Sequence, residues 1–184
     1  MTSYTITPLA EGGPAVVYDE HFIADHEALY DRLCTDIVWD GRMRARKTAS
    51  FGAPYNYSGM TYPAVKMHDD LARVRDVLAK SLPFEPDNCL VNFYENGRST
   101  MGFHYDGLDD LAPGTGVAIV SLGATRTLRF RRMDDRDVEV SQPLVSGSLL
   151  YMPSEVQTQW KHGIPRETGA AARISLTFRQ LIAI

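Results

Sequence analysis

Hydrophobic positions along the chain recur at two different periods. In ADHEALYDRLCTDI (24–37), Leu29, Leu33 and Ile37 return every fourth residue with polar side chains between them, the stripe of an amphipathic helix, and Asp25 stands where it can cap the first turn. HDDLARVRDVLAKSL (68–82) repeats the pattern with Leu71, Val74 and Leu78, and Pro83 forbids its continuation. Each stripe needs an apolar partner, and a sheet is the natural one. From residue 88 onward the texture changes to short apolar or alternating runs at 88–94, 117–122, 127–131, 137–140, 148–152 and 173–179. Turn signals separate them at Asn96-Gly97, Pro113-Gly114, Asp134-Asp135 and Ser146-Gly147. Short strands at this spacing, with no helical pattern between, predict an antiparallel sandwich or barrel. The expected fold is therefore mainly β, a jelly-roll-like core with N-terminal helices packed against it. No repeat, low-complexity tract or linker divides the chain, so one domain over 1–184 is expected.

Two strands and one loop carry candidate chemistry. In GFHYDG (102–107), His104 and Asp106 stand two apart, and in an extended segment such residues share a face. Alone, the pair is also what a turn aspartate beside an incidental histidine looks like. His162, in QWKHGIP, follows a strand and precedes a glycine and a proline, which makes it the natural third ligand; His21, His26 and His68 fall in or beside the helical region. Two imidazoles and one carboxylate on one octahedral face leave three positions open, which suits non-haem Fe(II), and zinc accepts the same donors.

The last strand, ARISLTFR, alternates cleanly: Arg173, Ser175, Thr177 and Arg179 on one face, Ile174, Leu176 and Phe178 on the other. The two arginines lie about 20 Å apart along the strand, and folding their side chains inward leaves a gap close to the length of a short dicarboxylate such as 2-oxoglutarate. A terminal strand can also be an edge with two solvated arginines. In NCLVNFYENG, Asn92 and Tyr94 share a face with Leu90 and could donate hydrogen bonds into the same cavity, or be satisfied core groups.

Composition narrows the classes. The 184 residues carry a net charge of −4, which argues against gripping long duplexes by bulk charge, although GRMRARK (41–47) and the cluster Arg126, Arg129, Arg131, Arg132 and Arg136 permit local phosphate-binding faces. Each cluster equally reads as a solvated surface. Cys34 and Cys89 fit no zinc or redox spacing and read as free thiols. No run approaches the roughly 18 apolar residues of a membrane span, and the N-terminus lacks the features of a signal peptide. A cytoplasmic chain is expected, and with no oligomer signal a monomer is assumed.

Together, NFY, GFHYD, VSLGATRTLRF, GSLLYMP, KHGIP and RISLTFR resemble the AlkB-type Fe(II)/2-oxoglutarate-dependent dioxygenases, which remove alkyl groups from nucleic-acid bases. The resemblance runs from about residue 44 to residue 180. It implies a double-stranded β-helix, His104, Asp106 and His162 as iron ligands, and Arg173 and Arg179 on the carboxylates of 2-oxoglutarate with help from Asn92 and Tyr94. O2 would be the oxidant. The stretch from about 41 to 62 resembles a nucleotide-recognition lid. There Tyr57 would stack on a flipped base and Tyr55 would line the same pocket, while Arg44 and Arg46 hold the backbone of alkylated DNA or RNA, single-stranded strands included. One departure concerns substrate choice: the family often has an acidic residue one or two places after the metal-binding aspartate, and here Gly107 and Leu108 occupy those places, with Asp109 and Asp110 following. The alternatives that remain are the same chemistry on a small molecule or protein side chain, and a non-enzymatic nucleic-acid-binding module.

Overall fold

The computed structural model describes residues 4–57 and 59–182. Two strands, β1 (Thr5–Pro8) and β2 (Ala15–Asp19), precede helix α1 (His26–Asp36). Strand β3 (Lys47–Gly52) and the hairpin β4 (Tyr55–Tyr57) and β5 (Met60–Tyr62) lead to helix α2 (Asp69–Ser81). The remainder is β6 (Asn88–Tyr94), β7 (Met101–His104), β8 (Gly116–Gly123), β9 (Arg126–Arg132), β10 (Glu139–Leu144), β11 (Leu149–Pro153), the short helix α3 (Ser154–Gln159), β12 (Trp160–Ile164) and β13 (Arg173–Arg179). A seven-stranded sheet runs β1-β2-β11-β8-β13-β6-β3, and a four-stranded sheet runs β10-β9-β12-β7. Every strand pairing among the described residues is antiparallel.

Period-2 alternation in the large sheet separates two cores. One face of β13 sends Ile174, Leu176 and Phe178 into a cluster with Leu29 and Leu33 of α1 and Leu71, Val74 and Leu78 of α2. These are the two helical stripes read from the sequence, now covered by the sheet. A second cluster, including Val117, Ile119, Leu128, Phe130, Leu150 and Trp160, fills the space between the two sheets. Strand β13 is no edge: it pairs with β6 on one side and β8 on the other, and all seven of its residues are buried. Its polar face therefore looks into the interior.

The strands that escaped the sequence reading are β1 to β5, β7 and β12, all short, and most of them, though not β2 with its Ala15–Tyr18 run, without a run of apolar residues. Strand β10 also extends past the expected 140 to Leu144 despite Pro143, because it pairs only with β9 and a proline is tolerated on an edge. The turn at Ser146-Gly147 is present, with Gly147 at φ 83° and its amide donating to the Ser121 carbonyl at 2.7 Å. Asp25 precedes α1 but makes no capping hydrogen bond with its side chain; its carboxylate lies 3.6 Å from Arg32 instead.

The helices are tied to each other by Asp70, which is 4% exposed and accepts from Arg32 Nε at 3.2 Å and from Arg73. His68 caps α2, its Nδ1 accepting from the Asp70 amide at 3.2 Å. Burial alone would raise the Asp70 carboxyl pKa, but Arg32 and Arg73 outweigh it and hold the group below its ordinary value. A depressed carboxyl stabilises the fold above its unfolded pKa, and the contribution disappears as pH falls through the folded value. Asp70→Asn should cost about 1–3 kcal/mol at neutral pH. In urea titrations the difference from wild type should shrink as pH drops below about 4; a gap unchanged at pH 3 would refute the assignment.

Candidate active site

His104 ends β7, and His162 sits directly across from it on β12. That register places both imidazoles on the interior face, with ring centroids 4.4 Å apart. Asp106 arrives differently from the expected shared strand face. Strand β7 stops at His104, so Asp106 lies in the following turn and is held by other elements. Its amide donates to Gln157 Oε1 of α3 at 3.0 Å, and its Oδ1 accepts from Arg179 Nε at 3.0 Å. His162 Nε2 lies 3.6 Å from Asp106 Oδ2. One donor atom from each of His104, Asp106 and His162 falls within 4.8 Å of the others.

The protonation states suit a cation. Burial pushes the His162 imidazole down to about 3 and lowers that of His104, so both are neutral near pH 7. Burial would raise the Asp106 carboxyl, but Arg179, His162 and His104 together bring it down to about 2. His104 Nδ1 contacts the Gly102 carbonyl at 3.0 Å; a carbonyl only accepts, so Nδ1 carries the proton and Nε2 keeps its lone pair. Asp106 Oδ2 and His162 Nδ1 are buried without a protein hydrogen-bond partner. Two neutral imidazoles, one carboxylate and an orphaned oxygen fit a divalent metal. In the other metal-like group among the described residues, Asp36, His68 and Asp70, the Asp70 carboxylate is already engaged by Arg32 and Arg73.

The cleft beside this triad is lined by the whole polar face of β13, by Leu90, Asn92 and Tyr94 of β6, and by Tyr57 and Met101. Arg173 is 1% exposed; its Nη2 donates to Ser121 Oγ at 2.9 Å, while Nε and Nη1 have no partner. Arg179 spends two donors on Asp106 and keeps Nη1 unpartnered. The two guanidiniums thus differ: one is an open fork, the other is already paired. Asn92 donates to Thr177 Oγ1 at 3.5 Å.

The aromatic and basic residues ahead of β6 are redistributed relative to the sequence reading. Tyr57 lines the cleft, with its ring 6.0 Å from that of His104 at an interplanar angle of 79°. Tyr55 does not line the same pocket; it is buried behind it, under the Arg179 guanidinium at 4.7 Å. Burial raises its phenol to about 12. Arg44 is exposed, but Arg46 is 5% exposed and cannot grip a backbone outside, because its donors go to Asn92, Tyr57 and the Thr100 carbonyl. Asp109 and Asp110 are exposed in a 3-10 turn, and the Asp110 carboxylate folds back to 3.4 Å from where a Cβ on Gly107 would stand.

Three contributors were missed in the sequence. Gln157 sits on a six-residue helix that leaves no periodic signal. Ser121 is one of many small residues in β8. Arg126 is fully buried, unlike the surface cluster its sequence neighbours suggest, and its alternation with Leu128 and Phe130 is the available clue.

Two facing antiparallel sheets enclosing a histidine–aspartate–histidine triad and an arginine-lined cleft define an oxygenase of the jelly-roll, double-stranded β-helix type. Residues 33–179 match the family model described as 2OG-Fe(II) oxygenase superfamily, and the chain belongs to that superfamily. Fe(II), 2-oxoglutarate and O2 are accordingly its cofactors. The chain is 35% identical over 148 residues to the DNA oxidative demethylase ALKBH2 of Homo sapiens, covering 74% of this chain and 57% of that one. It is 29% identical over 177 residues to the alpha-ketoglutarate-dependent dioxygenase alkB homolog 3 of Bos taurus, covering 85% and 62%. The chain thus spans a little over half the length of these relatives. The solved structure of OsALKBH1 superposes with a TM-score of 0.71 at 20% identity, over 91% of this chain and 98% of that one, which shows the shared fold.

The unequal engagement of the two arginines has a measurable consequence. Arg179→Met should destabilise the metal-free protein by about 3–5 kcal/mol, because it strands a buried carboxylate. Arg173→Met removes a buried cation with two unpartnered nitrogens and should cost clearly less. Urea unfolding of both variants at neutral pH checks the order; equal losses would contradict it.

Proposed function

We propose that this chain catalyses Fe(II)- and 2-oxoglutarate-dependent oxidative dealkylation of N-alkylated bases in DNA or RNA. The observation that carries the reading is the convergence of the neutral His104 and His162, the anionic Asp106 and the open guanidinium of Arg173 on one closed cleft. His104, Asp106 and His162 hold the metal, and Arg179 orients Asp106 while offering its remaining donor. Arg173 takes the far carboxylate of 2-oxoglutarate by its fork, and Asn92 and Tyr94 line the path between. Bound there, iron with 2-oxoglutarate and O2 supplies the oxidising power to hydroxylate a C–H bond, with succinate and carbon dioxide as co-products. On an N-alkyl carbon the product is a hemiaminal, whose C–N bond breaks to release an aldehyde and the restored base.

The segment from about 41 to 62 acts as the lid. Tyr57 offers an aromatic face beside His104 on which an extruded base can stack, and Tyr55 backs it with ring centroids 6.2 Å apart. Arg44, Arg98 and Arg166 support a nucleic-acid substrate. All three are exposed, and none takes part in an ion pair among the described residues. Backbone hydrogen bonds Thr100 to Ala45 (3.1 Å) and Glu167 to Gly97 (3.0 Å) bring their loops together. The relative named DNA oxidative demethylase ALKBH2 supports the same substrate class. Gly107 and Leu108, where an acid was expected, favour as a second reading the same chemistry on a small molecule or protein side chain.

Succinate and aldehyde release should be measured with Fe(II), 2-oxoglutarate and a panel of methylated DNA and RNA oligonucleotides, single and double stranded. Wild type should release both products with at least one strand, and Asp106→Ala should lose metal binding and turnover. Turnover that no oligonucleotide stimulates would favour the second reading. Where an oligonucleotide binds, the slope of log affinity against log salt should fall by about 0.7–0.9 for each of Arg44→Gln, Arg98→Gln and Arg166→Gln. Unchanged slopes would remove these arginines from the interface.

A further inference from the structure

Arg46 does not line the cleft, but it donates to two residues that do, Asn92 and Tyr57. It precedes β3 and is 5% exposed. Its Nε donates to Asn92 Oδ1 at 2.7 Å, its Nη2 to the Tyr57 hydroxyl at 3.0 Å, and its Nη1 to the Thr100 carbonyl at 3.3 Å. Three elements therefore meet on one planar group: the strand of the co-substrate wall, the lid hairpin, and the loop that enters β7. We propose that Arg46 is a positioning residue through which 2-oxoglutarate binding orders the Tyr57 lid. The proposal rests on reading the cleft as the 2-oxoglutarate site.

The coupling begins at the Asn92 amide. A cationic donor holds its oxygen, so its NH2 is turned toward Thr177 and the polar face of β13. An amide fixed this way can only donate to a ligand in the cleft, which selects an acceptor such as a carboxylate over a donor. A carboxylate accepting from Nδ2 polarises the amide and strengthens the bond between Oδ1 and Arg46, because linked hydrogen bonds reinforce one another in a low-dielectric interior. A firmly held guanidinium plane in turn fixes the direction of Nη2, and with it the hydroxyl of Tyr57. The ring of Tyr57, edge-on to His104, is thereby set before a base arrives. The planar fork is required: a lysine is a point charge on a flexible stem and cannot reproduce the spacing of the guanidinium donors.

Hydrogen exchange of the β4–β5 hairpin is the readout, with Mn(II) in place of iron so that no turnover occurs. In wild type, 2-oxoglutarate should slow exchange across the hairpin severalfold. Measured at saturating 2-oxoglutarate, Tyr57→Phe, which removes only the acceptor hydroxyl, should lose that protection. Arg46→Lys should lose the protection and also bind 2-oxoglutarate more weakly. Wild-type binding of 2-oxoglutarate with an unchanged hairpin would overturn the coupling alone, as would Tyr57→Phe protected to the wild-type extent. Wild type that fails to bind 2-oxoglutarate at all would overturn the reading of the cleft, and the coupling with it. Because Tyr57→Phe leaves Arg46 and Asn92 in place, the test does not depend on a buried arginine variant folding.

Discussion

The contact on which the site depends is the buried pair between Arg179 and Asp106. Asp106 lies beyond the end of its strand, where no ladder hydrogen bond fixes a side chain, and the guanidinium at the end of β13 supplies the missing restraint. It also sets the charge. Arg173 and Arg179 line a cleft whose imidazoles are neutral, Arg46 is buried beside it, and the one carboxylate at the site, Asp106, is paired with Arg179 alone. Such an excess of buried positive charge is costly in isolation and suits a dianion. Preference for a small dicarboxylate is thus written into the same strand that completes the sheet.

Much of this was legible in the sequence, and for definite reasons. The residues of β13 alternate without a fault, and alternation survives into structure because a buried strand cannot slip by one residue without inverting its faces. Helices α1 and α2 were legible for the analogous reason at a period of 3.6. The environment of Arg46 was not legible. The other arginines of GRMRARK, Arg42 and Arg44, are exposed, and nothing local distinguishes the one that turns inward. Tyr55 and Tyr57, two apart in the hairpin, likewise gave no sign that one would wall the cleft and the other would stand behind it. Short strands such as β7 and β12 were hidden because glycine and charged residues dilute their pattern. The Asp106 turn shows a further limit: His104 and Asp106 do come together with His162, but the geometry comes from α3 and β13, which are remote in the chain.

Arg126 organises the end of the barrel away from the metal. It is fully buried and donates to the carbonyls of Ser99 and Pro165 at 2.9 and 2.6 Å, joining the loop before β7 to the loop before β13. The Tyr94 ring has Arg126 at 5.6 Å and Arg173 at 5.1 Å from its centroid. Gly97 is needed here because a Cβ would stand 1.8 Å from the Glu167 carbonyl oxygen. Loop closure and the placement of Arg173 are consequently one packing problem rather than two.

Pro143 bears on how separate copies of the chain meet. The outer margin of the small sheet is β10, and a ring nitrogen at that point leaves its row of amide donors broken. An incoming extended segment from another molecule would find no continuous ladder there to template on. Lateral growth of the sheet at this edge is therefore opposed by a single imino acid, at a position where it costs the native pairing little.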